Sequence, residues 1–496
     1  PNVLIIVADD LGWDDVSFHG SKQIYTPNID ALASDGITFT NYYVSPLCTP
    51  SRSALLTGKH PIHIGTQHFV IAAASPWGTS LDVKMFPQYL KELGYKTHLV
   101  GKWHQGHHKK EFLPTYRGFD SHFGYRHGKG DYYDHSDLER YWGYDIWRDL
   151  KPVYKEYNNS YSTTIYKDEV KTLIKSYQNS SHPFFIMFSP MAVHAGGSYS
   201  SFQAPKEYVD RFPHIKDLHR RMFAGMLAAL DDAIGEIFEE LSKSEAIDNT
   251  IILFTSDNGG VPSGFSQETS AGSNWPLRGA KYTLWEGGVK GISFLWSKLL
   301  KKSGYIYENL IHIQDWLPTL YSAIGGSKSS LPSDLDGKDF WEALSNAKLE
   351  PVRSEILHNI DDKLGVYALR YKNYKIVYGT NYNGELDGWF KPAGSESEKN
   401  KFEYSGVVSE ILKKYGAKLE PKQIKIKCGK KQSNAVVNCK PQACVFNIKS
   451  DPCEYNNIAD KEVEMKKYLV QRVLWHNKTA IAPNNKPRDP KANPLY

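Results

Sequence analysis

Four short and nearly uninterrupted apolar runs constrain the fold most: Val3–Ala8, Thr97–Val100, Phe184–Phe188 and Ile251–Thr255. Runs of this length, apolar without alternation, are the mark of strands covered on both faces. Helical patterns lie between them. The clearest is Met226, Leu230, Ile234, Ile237, Phe238 and Leu241, spaced mostly by three and four, which makes these side chains core contacts rather than a site. Another opens at Thr26-Pro27, with Thr as a cap and Pro in the first turn, and stops at Gly36. Strands alternating with helices predict an α/β fold built on a mostly parallel sheet flanked by helices. At 496 residues the chain exceeds one ordinary hydrophobic core, so a second unit is expected. Beyond about Pro351 the texture changes. Gly365–Tyr371 and Tyr374–Tyr378 read as strands joined by a turn at Lys372-Asn373, and the loop-rich stretch Asn381–Glu403 follows. The expected division is therefore residues 1–350 and a smaller C-terminal α+β unit, 351–496, with an antiparallel sheet.

Polar residues collect just after the buried runs. Asp9-Asp10 follow the first, Lys102 and His104 the second, His194 the third, and Asp257-Asn258-Gly259-Gly260 the fourth. Open parallel sheets bind ligands beyond the carboxyl ends of their strands, so four such ends point to one crevice. A single Asp after a strand is more often a turn former or cap. Two pairs at two apolar strand ends weaken that explanation. Asp9, Asp10, Asp257 and Asn258 offer oxygen ligands, the set a hard divalent cation such as Ca²⁺ or Mg²⁺ prefers, whereas zinc would want adjoining histidine or thiolate. Lys102 and His104 are two apart, so both face one way if the chain there is extended. A lone histidine such as His194 is commonly structural, and Lys281 by itself is a charged loop residue.

Cys48 follows a predicted strand, Phe39–Val44, and precedes a predicted helix that starts near Pro50-Ser51. It would lie at a helix N-terminus, where free N–H groups attract anions. An isolated cysteine is usually a small buried hydrophobe. Here the polar neighbours, and Arg52 one turn on, weaken that reading, and Arg52 could steady an anionic group or a modified side chain. The other cysteines, Cys428, Cys439, Cys444 and Cys453, cluster in a lysine-rich stretch without close CxxC pairs. Two disulfides therefore fit better than a zinc site, which favours the secretory pathway. Sequons at Asn158, Asn179 and Asn477 agree with that compartment. The chain opens directly on a strand with no leader, as a processed or trimmed form would. The formal charge of +5 is small, and the basic run Lys422–Lys431 reads as a surface loop, not a nucleic-acid stripe. No apolar run reaches the roughly 18 residues of a membrane span.

These residues resemble the sulfatase family, type I and formylglycine-dependent. Cys48-Thr49-Pro50-Ser51-Arg52, followed by Ser53-Ala54-Leu55-Leu56-Thr57-Gly58, is similar to its signature C-x-P-x-R-x-x-L-x-T-G. Gly94–Thr97 running into Gly101-Lys102-Trp103-His104 looks like its second signature. The opening Ala8–Trp13, Ser256–Gly260, Trp285–Val289 and the closing Phe446–Asp460 also fit, with Ile458 where the family has Leu. Asn274–Gly279 and Leu357–Asp361 resemble most the arylsulfatase B (N-acetylgalactosamine-4-sulfatase) branch of animal enzymes. The resemblance implies an alkaline-phosphatase-like fold, hydrolysis of sulfate esters on a sugar or small molecule, and lysosomal or secreted residence. It implies conversion of Cys48 to Cα-formylglycine by the formylglycine-generating enzyme, and one Ca²⁺ held by Asp9, Asp10, Asp257, Asn258 and the modified residue. An aldehyde hydrate carries two hydroxyls on one carbon: one attacks sulfur, and deprotonating the other releases sulfate, an exit that Ser or Cys lacks. By position, Arg52 and Lys102 would steady the formylglycine and sulfate, His104 would act as base, Lys281 would contact sulfate, and His194 would protonate or polarise the leaving oxygen. After His194 the run Ala195-Gly196-Gly197-Ser198 lacks a Pro common in relatives. The Ser/Gly-rich stretch through Ser201 predicts a flexible loop that reshapes the leaving-group side. Two other readings are a phosphatase or phosphodiesterase on the same fold, which the Cys48 pentapeptide opposes, and an inactive sulfatase-like binding protein.

Overall fold

The computed structural model describes every residue except 198, 349, 395–404, 421–422, 434, 436–437 and 493–496. Ser198 of the loop after His194, residues 395–403 of the loop-rich stretch and Lys422 of the basic run lie outside the described residues. A ten-stranded sheet runs through the N-terminal two thirds, in the order Tyr305–Tyr307, Ile37–Phe39, Ser293–Trp296, Thr250–Ser256, Asn2–Ala8, Phe184–Ser189, Lys96–Gly101, Ser121–Gly124, Trp147–Arg148, Lys151–Pro152. The five strands from Thr250–Ser256 to Ser121–Gly124 are mutually parallel. Ser293–Trp296 and the outermost short pair supply the antiparallel contacts. The four apolar runs are the four adjacent central strands, and their residues are buried throughout except at the outer ends.

Each face of this sheet carries its own core. Leu4, Ile6, Ile186, Phe188, Ile252 and Phe254 pack under the helix Leu218–Lys243. The alternate residues Val3, Ile5, Val7, Phe185, Met187 and Leu253 meet the helices around Leu55, Phe86 and Trp316. Burying both faces explains why these strands carry no alternation in the sequence. The predicted helix from Thr26 forms as Pro27–Asp35, but Thr26 does not cap it through its side chain. Its hydroxyl instead donates to Asp30 at 2.8 Å, within a buried set that includes Ser17.

The expected strand Phe39–Val44 is two pieces. Ile37–Phe39 joins the main sheet, and Tyr42–Tyr43 pairs with Ile311–His312 in a separate ribbon. The chain turns at Thr40 and Asn41, and both tyrosines are buried, so the run loses the one-face periodicity of a continuous strand. The C-terminal antiparallel sheet has the order Glu355–Asp361, Val366–Tyr371, Tyr374–Tyr378, Cys444–Asn447, with the turn at Lys372 in a left-handed conformation. The helix Val463–Asn477 covers one of its faces through Leu469 and Val473. The other face packs on Tyr43, Trp285 and Val289 of the larger part. Disulfides join Cys428 to Cys453 and Cys439 to Cys444, leaving Cys48 free and buried. Among the described residues no helix is long and apolar enough to cross a membrane.

Candidate active site

Parallel pairing in register sets the strand ends side by side: Ala8 lies opposite Ser256, and Ser189 opposite Gly101. The residues that follow these ends converge, and Asp9, Asp10, Cys48, Arg52, Lys102, His104, His194, Asp257, Asn258 and Lys281 are all buried. Cys48 itself begins a helix, Cys48–Thr57, with Leu47 as its extended N-cap. The helix thus starts two residues earlier than Pro50 suggested. Pro50 lies within the first turn, where a missing N–H costs nothing. Burial pushes the Cys48 thiol up to about 12, so the unmodified side chain is a neutral thiol at ordinary pH.

The crevice is a lattice of alternating charge. Arg52 donates Nε–H to Asp257 at 2.9 Å, and its terminal nitrogen lies 2.8 Å from Asp257 and 3.5 Å from Asp9. Arg52 also reaches the Ser189 hydroxyl at the end of the neighbouring strand. Lys102 Nζ donates to Asp9 at 2.6 Å, and Lys281 Nζ donates to Asp10 at 2.7 Å. Burial would raise the Asp9 carboxyl, but Lys102 and Arg52 outweigh it and hold it low. Asp257 is raised, by burial first and then by Asp9. Burial would lower Lys281, yet Asp10 and Glu268 hold it well above the usual ammonium range.

Lys102 and His104 are not joined by extended chain. His104 has a φ of +56°, so the chain leaves extended geometry between them. His104 donates Nε2–H to the Ile71 carbonyl at 2.9 Å, which fixes the tautomer and leaves Nδ1 buried without a partner. His194 Nδ1–H donates to the Ala195 carbonyl at 2.7 Å, and its Nε2 accepts from Lys281 at 3.3 Å. The loop after it is tied: Gly196 N–H donates to the Ser201 carbonyl at 2.8 Å, and the Tyr132 hydroxyl to the His194 carbonyl at 2.8 Å.

The donor set fits a hard cation. Asp9 Oδ1 and Asn258 Oδ1 are buried oxygens with no hydrogen-bond partner, and Asp9, Asp10 and Cys48 offer ligand atoms within 4.8 Å of one another. Carboxylate and amide oxygens suit Ca²⁺ or Mg²⁺, whereas a thiol does not, so an oxygen at position 48 would complete the set. Gly259 permits the approach that places Asn258, since a Cβ there would lie 1.8 Å from the Gly287 carbonyl oxygen.

Two contributors escaped the sequence. Ser189, the last residue of a strand, holds Arg52. Glu268 stands 3.5 Å from His194 Nε2 and 3.4 Å from Lys281 Nζ, inside a Ser/Gly-rich loop with no strand end to mark it. Burial would raise its carboxyl, but Lys281 and His194 hold it at about 2.

Residues 1–326 match the sulfatase family model. Arylsulfatase J of Mus musculus is 37% identical over the whole chain, which spans 78% of that protein. Human N-acetylgalactosamine-6-sulfatase is 32% identical over 70% of the chain and 66% of its own length. Among solved structures, Ps i-CgsB, crystallised with k-i-k-neocarrahexaose, superposes with a TM-score of 0.78 at 26% identity, covering 99% of this chain and 95% of that one. A phosphonate monoester hydrolase from Silicibacter pomeroyi shares the fold at a TM-score of 0.59 and 15% identity.

Proposed function

This chain belongs to the sulfatase family and is a sulfuric ester hydrolase, and we propose that it works through a formylglycine made from Cys48 beside one Ca²⁺. One observation carries this reading: oxygens of Asp9 and Asn258 that accept no hydrogen bond, and three buried cations, lie about a free cysteine at a helix N-terminus. Asp9, Asp10, Asp257, Asn258 and the modified residue 48 would hold the ion. When present, the ion polarises the sulfate and offsets developing charge, and the formylglycine hydrate supplies the attacking hydroxyl.

The chain's own residues do the rest. Arg52 and Lys102 hold the anionic groups on the nucleophile side, already fixed by Asp257 and Asp9, so little reorganisation accompanies reaction. His104 presents a bare Nδ1 as a proton acceptor, its other nitrogen being committed to Ile71. Lys281 binds sulfate oxygens. His194, anchored through Nδ1–H, turns Nε2 to the leaving oxygen, which it protonates when the imidazole is charged or otherwise polarises together with Lys281. The phosphonate monoester hydrolase shows that the fold alone does not choose sulfur over phosphorus. The Cys48 pentapeptide supports sulfur.

Within the family, Asn274–Gly279 and Leu357–Asp361 support a place near arylsulfatase B, with a sulfated sugar or small aryl sulfate as substrate. Two disulfides support maturation in the secretory pathway, where the formylglycine-generating enzyme would act, and lysosomal or secreted residence. We assign the chemistry to residues 1–350, with 351–496 as the smaller unit. Natively produced protein should hydrolyse 4-nitrophenyl sulfate far faster than 4-nitrophenyl phosphate, and Cys48→Ala should abolish sulfate release while the fold survives. Preference for the phosphate would overturn the reading.

A further inference from the structure

The crevice holds one carboxylate that sulfate chemistry does not call for. Glu268, half-buried, stands beside Lys281 and His194, where a negative charge opposes a bound sulfate. Its Oε2 accepts the Tyr282 hydroxyl at 2.7 Å and lies 3.4 Å from Lys281 Nζ. Its Oε1 faces His194 Nε2 at 3.5 Å and, among the described residues, accepts no hydrogen bond. An acceptor therefore stands open next to the nitrogen assigned to the leaving oxygen.

The surroundings are built rather than loose. Ser266 donates both its N–H and its hydroxyl to Glu385, each at 2.7 Å, which pins the loop carrying Glu268. Phe265, Tyr282 and Tyr382 meet with ring centroids 5.2 to 5.6 Å apart, and Phe69 approaches Tyr382 at 6.5 Å. Tyr282, Tyr382 and Phe69 are each half-buried. Half-buried aromatic rings beside a fixed carboxylate match a ring with apolar C–H faces and hydroxyl edges. A plain aryl group would use the faces but leave the carboxylate without a donor.

We propose that Glu268, with Tyr282 and Tyr382, forms a sugar subsite on the leaving-group side, in which Oε1 accepts a hydrogen bond from a ring hydroxyl and selects sugar sulfates over aryl sulfates. This rests on the sulfatase reading. The test measures kcat/KM on 4-nitrophenyl sulfate and on a panel of hexose and hexosamine monosulfates, for the natural protein, Glu268→Gln and Tyr382→Leu. The natural protein should prefer at least one sugar sulfate. Glu268→Gln should lower the sugar-to-aryl ratio about ten- to a hundredfold, the range for one charged hydrogen bond. Tyr382→Leu should lower the ratio in the same sense. A common fall on both substrates, with the ratio unmoved, would make Glu268 only a support for Lys281 and His194 and overturn the subsite. Turnover of the aryl sulfate with no sugar sulfate cleaved would overturn it too. Hydrolysis of no sulfate ester would overturn both the subsite and the reading beneath it.

Discussion

At the scale of single residues, Arg52 is the keystone. It is fully buried and bridges Asp257, Asp9 and Ser189. Removing one partner of a buried ion pair leaves the others charged and unsolvated, which costs about 3–5 kcal/mol. Arg52→Ala should therefore lower the melting temperature markedly as well as abolish turnover. An unchanged melting curve would contradict the pairing. His127 permits a test that is independent of the crevice chemistry. It lies 2.8 Å from Asp137 and 3.7 Å from Asp145. Burial would lower the imidazole, but Asp145 and Asp137 raise it to about 9. With a folded pKa above the unfolded one, its stabilisation is full below the ordinary histidine value, about 6.5, and fades as pH rises through about 9. The stability gap between the natural protein and His127→Gln, at most about 3 kcal/mol, should shrink between pH 6 and pH 9.5. A gap that widens with pH would refute the assignment.

At the scale of elements, the sequence was most legible where one physical demand dominated. Strands buried on both faces must be apolar, and the segments after their carboxyl ends meet in one crevice, so the convergence of Asp9, Asp10, Lys102, His194, Asp257 and Asn258 could be read from their neighbours. His104 could be found too, but not its direction, because a left-handed residue leaves no periodic trace. The helix start at Cys48 and the break after Phe39 depend on capping and on partners far along the chain. Glu268 was illegible for a related reason: its loop is positioned by Glu385 and a ring cluster drawn from distant segments. The backbone at Gly259 passes close against that of Gly287. Gly259→Ala would drive a methyl into a backbone carbonyl that cannot swing away. Soluble yield or thermal stability should fall, and activity with it, as Asn258 is displaced. Full activity in this variant would show that the two backbones separate easily.

At the scale of the molecule, the C-terminal sheet braces the segment that carries Lys281. Lys375, buried, pairs with Glu286 at 2.9 Å and Glu454 at 3.0 Å, and Glu286 N–H donates to Glu454 at 2.8 Å. Arg278 stacks 3.4 Å over Trp285 and donates to the Asp387 carbonyl at 2.8 Å. The antiparallel sheet could be read from two alternating strands and a turn, and the disulfides from the cysteine cluster, but this bracing could not, since it joins buried charges remote in sequence. All of it serves one small volume around residue 48. The decisive measurement is a mass spectrum of the tryptic peptide containing residue 48, from natively produced protein, alongside an aryl sulfate assay of the same sample. The account predicts a peptide lighter by the exchange of a thiol-bearing carbon for an aldehyde, in proportion to sulfatase activity. Unmodified cysteine in fully active protein would contradict it.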